Sequence, residues 1–178
     1  MNAVADTSAL RHIIVVGGSL ADWAAMSAEQ WAHRLDELGK VADHVGASWL
    51  TLRPYSGSPG VQFGPERVVE IGHCRVCADP QADGQARVAE AAAALDAAGE
   101  EITEDALAGK LNAPALADPD LVVVLGPPHH LPPSLVWELA YSELVFIDVP
   151  WADLAAGHLD RAIDSYSQRH RRFGGVDD

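Results

Sequence analysis

Residues 121–125, Leu-Val-Val-Val-Leu, form an unbroken apolar run with three β-branched residues at its centre. A run of strand length with no polar face belongs to a strand covered on both sides, as in a parallel sheet layered between helices. A second such run, RHIIVV over residues 11–16, stops at Gly17-Gly18-Ser19 and reads as a buried strand feeding a turn. The segment after it has the punctuation of a helix. Ser27 and Gln30 have the spacing of a capping box, Trp31, Leu35, Leu38, Ala42 and Val45 form one apolar stripe, and Gly46 ends it.

The same alternation continues along the chain. Residues 49–52 read as a strand, residues 54–65 as a Gly/Pro/Ser-rich loop, and residues 68–71 and 75–78 as weaker strands. Asp83 opens a helix with Val88, Ala91, Ala92 and Leu95 on one face and Gly99 at its end. Thr103 caps a short helix reaching Leu111. A helix over residues 134–141 and a strand over 144–147 follow the central run. The last helix places Leu159, Ile163 and Tyr166 on one side and ends in Arg169-His170-Arg171-Arg172. The fold class expected is α/β, with a mainly parallel sheet covered by helices on both faces. Residues 11–175 form one domain behind a flexible N-terminus of residues 1–10, without internal repeats.

Charge limits the partners. With 12 basic and 26 acidic residues the net charge is −14, a field that repels nucleic acid and anionic membranes and demands locally concentrated cations for any anionic substrate. Two cysteines give no disulfide framework, and no segment approaches the roughly 20 apolar residues of a membrane span. A soluble, cytoplasmic protein with no membrane anchor of its own is expected.

Few motifs carry chemistry. Gly17-Gly18-Ser19 lies where a phosphate loop would, but it has neither GxGxxG nor GK[ST], and the next charged residue is Asp22. Cys74 and Cys77, beside His73, lack the second ligand pair of a closed zinc site; His129 and His130 are the remaining candidates, and packed thiols are the simpler reading. The basic cluster at 169–172, followed by Phe173-Gly174-Gly175, stands out in so acidic a chain. Cations at a helix C-terminus complement its dipole, but arginine also suits bidentate binding of a diphosphate.

That ending, read with Trp137-Glu138-Leu139-Ala140-Tyr141-Ser142-Glu143-Leu144 and DPDLVVVLGP over residues 118–127, resembles the cis-prenyltransferase family, which includes undecaprenyl diphosphate synthase. Looser likeness extends to His12-Ile13-Ile14, Asp22-Trp23-Ala24 and Trp49-Leu50-Thr51-Leu52. Active members of the family carry DGNGRWA at the first turn, whose Asp assists Mg²⁺–diphosphate ionisation and whose Arg binds diphosphate. Here the matching stretch is Gly18-Ser19-Leu20-Ala21-Asp22-Trp23-Ala24, so the acid is Gly18 and the arginine is Asp22. The family's FSxENW is reduced to Tyr55-Ser56-Gly57-Ser58-Pro59, and its RxSGExR segment is replaced by residues 124–130. Between Ser56 and Asp83 there is too little chain for the two helices that wall the product tunnel.

Two features persist. Arg172-Phe173-Gly174 is similar to the RxG motif that reaches across the family's dimer to the isopentenyl diphosphate site of the other subunit. Glu143 aligns with a Mg²⁺-associated glutamate. The pattern resembles the Nogo-B receptor type of accessory subunit. The resemblance implies a truncated cis-prenyltransferase fold, inactive alone, that pairs with a catalytic cis-prenyltransferase paralogue, or with itself when alone. In trans, Arg172 and Gly174 would contact isopentenyl diphosphate, while Mg²⁺ is held mainly by the partner. The alternatives are a diverged isoprenoid-diphosphate enzyme using Glu143, His129 and His130, and a regulatory isoprenoid-binding protein.

Overall fold

The structure, a computed structural model, describes residues 10–64 and 66–173, with side chains described as far as residue 169. The expectation for residues 1–10 therefore falls almost wholly outside the described residues. The strands are β1 (His12–Val16), β2 (Trp49–Arg53), β3 (Arg67–Ile71), β4 (Cys74–Ala78), β5 (Leu121–Leu125) and β6 (Glu143–Ile147). They form one sheet in the order β3-β4-β2-β1-β5-β6, parallel throughout except for the β3–β4 hairpin at one edge. The fold class expected from the sequence is the one observed.

Among the described residues, five helices complete the fold: α1 (Leu20–Ala25), α2 (Ala28–His44), α3 (Gly84–Ala98), α4 (Glu104–Asn112) and α5 (Ala156–Phe173). Local capping explains several boundaries. Ser27 and Gln30 close a capping box on α2, Asp83 accepts from the Gln85 and Ala86 amides at the start of α3, and Gly99 ends α3 in the left-handed region. The helix α1 was not anticipated; it is a single short element held by its own capping box, Ser19 with Asp22.

Handedness assigns the layers. The chain moves from β1 to β2 in one direction along the sheet, and from β4 to β5 to β6 in the other. Right-handed crossovers therefore place α2 on one face and the later connections on the opposite one. On the first face, α2 and α5 cover Ile13, Val15, Leu50, Leu52, Val123 and Val145. Opposite them Ile14, Val16, Val122 and Val124 pack under Leu135, with Tyr55, Leu144 and Phe146 alongside. The reversal of direction lies between β1 and β5, and the turns beyond their carboxyl ends are where open α/β sheets bind ligands.

One expected element is corrected. Residues 134–141 do not form a helix; the segment is irregular, with only a 3₁₀ turn at Glu138–Ala140. Its amides close three-residue turns instead, Leu135 to the Pro132 carbonyl, Ala140 to Trp137 and Tyr141 to Glu138, and Ser134, Leu135 and Glu138 are buried. Among the described residues between Ser56 and Asp83 there is no helix, only the β3–β4 hairpin.

At the amino end of β1, His12 is 2% exposed, with Nδ1 at 2.9 Å from the Ala117 carbonyl and Nε2 at 3.0 Å from Thr51 Oγ1. Burial pushes its imidazole below the ordinary value of 6.5, outweighing the opposing bond to Ala117. The unfolded chain then binds the proton more readily, so the His12 contribution is intact above about pH 6.5 and is lost as pH falls below it. The urea midpoint of the protein should drop as pH is lowered through that range. A midpoint that stays flat until the carboxylates titrate would show that His12 makes no such contribution.

Candidate functional site

Beyond the carboxyl end of β1, the turn Gly17-Gly18-Ser19 has consumed its own binding groups. The Gly17 amide donates to the Arg53 carbonyl, the Leu20 amide to the Ser56 carbonyl and the Ala21 amide to Ser58 Oγ. Asp22 Oδ2 accepts from the Ser19 amide and from Ser19 Oγ, each at 2.7 Å. Those bonds hold the Asp22 carboxyl below its usual range. The chain's own carboxylate thus takes the Ser19 amide, a donor that a phosphate loop would offer to its ligand.

Gly18 adopts φ +69, and a Cβ added there would lie 2.7 Å from Cγ of Trp151. In this conformation the position has no room for the aspartate of the DGNGRWA pattern. Trp151 belongs to an aromatic cluster: it stacks on Trp23 with centroids 5.4 Å apart, and Trp31 and Phe63 meet Trp23 edge-on at 4.9 and 5.5 Å. Beside the cluster opens a cleft of about 680 Å³, bordered by Gly18, Asp22, His33, Arg34, Glu37 and Trp151. The guanidinium on its wall is already engaged: Arg34 donates to the Trp151 carbonyl at 2.9 Å and the Ala152 carbonyl at 3.4 Å, and lies 4.6 Å above the Trp151 ring. With the Asp22 and Glu37 carboxylates also on its walls, the cleft is poorly matched to a diphosphate.

The residues that persist from the family pattern lie elsewhere. Glu143 opens β6, paired with Leu121 at the start of β5, and so sits at the amino edge of the parallel strands. Its Oε1 is 3.1 Å from Arg169 Nη1, and the same nitrogen is 3.2 Å from the Leu144 carbonyl. The helix α5 therefore runs antiparallel to β6 and returns its basic end to the edge opposite the Gly17–Ser19 turn. The backbone of Arg172 belongs to α5; its side chain and the whole of Gly174 lie outside the described residues. His129, with φ 73, follows the carboxyl end of β5 and contacts the Phe146 ring with centroids 6.3 Å apart, whereas Glu143 is at the other end of β6. The structure brings Glu143 to the C-terminal helix and not to the two histidines.

Magnesium fits poorly within this chain alone. Gly18 offers no donor, an oxygen of Glu143 is engaged by Arg169, and among the described residues no group of three or more His, Cys, Asp or Glu could hold an ion. Cys74 and Cys77 are buried on β4; burial pushes the first thiol up to about 11 and the second higher still, so both stay protonated.

Sequence reasoning missed the best-built polar site. Glu138, fully buried, accepts from Arg53 Nη1 at 2.6 Å and Arg87 Nη1 at 2.8 Å, and Arg53 also meets Asp79 Oδ2 at 3.1 Å. Burial alone would raise the Glu138 carboxyl; Arg53 and then Arg87 reverse this and hold it down to about 2. The only sequence signal is a charge inside an apolar stretch, Leu135-Val136-Trp137-Glu138-Leu139, and nothing in it points to residues 53 or 87. Removing one member of a buried ion pair typically costs about 3–5 kcal/mol, so Glu138→Ala should lower unfolding free energy by that amount. Equilibrium urea denaturation at neutral pH measures it, and a loss under about 1 kcal/mol would mean that water reaches the arginines.

Comparison with known proteins places this geometry. The profile of the family described as "Putative undecaprenyl diphosphate synthase" matches residues 79–174. An isoprenyl transferase of Geobacillus kaustophilus is 44% identical over 77 residues, 43% of this chain and 30% of that protein. One of Fusobacterium nucleatum is 49% identical over 59 residues, 33% of this chain and 26% of that protein. The matches thus span about a third or less of these curated relatives. The crystal structure of a probable undecaprenyl diphosphate synthase from Campylobacter jejuni superposes with a TM-score of 0.59 at 18% identity, covering 93% of this chain and 96% of that one. Lavandulyl diphosphate synthase from Lavandula x intermedia gives 0.59 at 15% identity, covering 88% and 94%. The fold agrees across the sheet and the family profile covers more than half of the residues: the chain belongs to the undecaprenyl diphosphate synthase family of prenyltransferases.

Proposed function

We propose that this chain is a non-catalytic subunit of a heteromeric cis-prenyltransferase, the Nogo-B receptor type of role, which completes a paralogue's isopentenyl diphosphate site with Arg172 and Gly174. One observation carries the reading: the two ends of the parallel sheet have diverged in opposite directions. At the carboxyl ends of the strands, Asp22 and Trp151 fill the turn with the chain's own groups. At the amino edge, Glu143 and Arg169 hold the helix that leads to Arg172. The two edges are separated by the length of a five-residue strand, about 13 Å, so the end of α5 that carries Arg172 lies at the edge opposite the chain's own first turn. A group that cannot serve its own chain can serve another. In this reading the partner holds most of the magnesium contacts, and a homodimer forms when the chain is alone.

The relatives' name, isoprenyl transferase, makes transfer by this chain itself the second reading. At the first turn it would need a side-chain oxygen that Gly18 does not carry and an arginine not already engaged, as Arg34 is, by the carbonyls of residues 151 and 152; Glu143 and His129 lie at opposite ends of the sheet. Purified alone, the chain should show no turnover of allylic diphosphate with isopentenyl diphosphate.

Kinetics of the complex with an intact paralogue test the first reading. Loss of one partner of a desolvated charge pair costs about 2–5 kcal/mol, so Arg172→Ala should reduce kcat/KM by roughly 30- to 3,000-fold, mainly in the isopentenyl diphosphate dependence. Arg172→Lys should recover part of the activity, since an ammonium cannot supply two parallel hydrogen bonds. Full activity in Arg172→Ala would end the reading.

A further inference from the structure

We infer that the Glu143–Arg169 ion pair aims the C-terminal turn of α5, so that Glu143 acts through Arg169 as a positioning residue. The catalytic consequence of this inference rests on the completing-subunit reading; the structural one stands without it.

The helix α5 is anchored along one side by Leu159, Ile163 and Tyr166, all buried. Arg169 comes three residues after Tyr166, and its side chain is 49% exposed. It does not pack into the core. It crosses instead to the first residues of β6, where one nitrogen serves both the Glu143 carboxylate and the Leu144 carbonyl. Helix ends fray, and a contact in the last turns of α5 limits that fraying. The backbone of Arg172 follows three residues further on in the same helix.

Charge supports the same role. Paired with Arg169, Glu143 is neutralised within its own chain, and magnesium asks for several oxygens in near-octahedral order that the described residues here do not assemble.

Amide hydrogen exchange on the chain alone tests the structural part. The pair is partly exposed, so Glu143→Gln and Arg169→Ala should each speed exchange at the amides of residues 170–173 by about 2- to 5-fold. The amides of β5, as the control for an intact fold, should not change. The charge-reversed double variant, Glu143→Arg with Arg169→Glu, should recover most of the loss. Unchanged exchange in both single variants overturns the inference. In the reconstituted complex, the single variants should raise KM for isopentenyl diphosphate with the magnesium requirement unaltered. A raised magnesium requirement in Glu143→Gln, with Arg169→Ala silent, would make Glu143 a metal ligand and overturn it as well. If Arg172→Ala proves fully active, the completing-subunit reading fails, and the exchange data still decide whether the pair holds the helix end.

Discussion

Two guanidiniums, Arg53 and Arg87, are buried beyond the carboxyl end of the sheet, and Glu138 is the carboxylate that meets both of them. In a medium where water is scarce, an uncompensated arginine costs several kcal/mol, so the segment carrying Glu138 has a single acceptable place. Delivering that carboxylate determines the path of residues 127–142 over the sheet face, and Leu135 then closes over Ile14, Val16, Val122 and Val124. Strand β6 and helix α5 continue from the point this segment reaches. The network joins β2, α3, the end of β4 and the crossing before β6, four parts remote in sequence.

The turn beside this network, at the same carboxyl end of the strands, is governed by self-satisfaction. Asp22 takes the Ser19 amide, Arg34 is spent on the carbonyls of residues 151 and 152, and Trp151 stands against Gly18. Each contact engages a group of this turn within the chain's own structure. At the amino edge a partly exposed ion pair, Glu143 with Arg169, joins the last helix to β6.

The misread helix at residues 134–141 shows why local pattern is insufficient. Its apolar residues, Leu135, Val136, Leu139 and Ala140, have helical spacing, and no proline or glycine interrupts them. The inward and outward sets that this spacing describes are present without the helix: Leu135 reaches the sheet and Glu138 two arginines, while Val136 and Leu139 are exposed at 40% and 38%. The helix α1 was missed for the converse reason. It is too short for a periodic signal, and its capping box uses Asp22, a residue whose family position suggested a ligand contact.

By itself, the sequence determined the layered α/β class, the caps of α2 and α3, both buried central strands and the basic final helix. These follow from periodicity, capping chemistry and β-branching, which act over a few residues. It also carried the substitutions at Gly18 and Asp22 and the Arg172-x-Gly174 pattern, because residue identity is local. Only the tertiary structure decided that Glu143 answers to Arg169 rather than to the histidines, that Glu138 is the counter-charge of Arg53 and Arg87, and that the altered turn and the basic helix end lie at opposite edges of the sheet. Those facts depend on strand order, crossover hand and the direction of α5, and no short-range pattern encodes which distant groups burial will bring together.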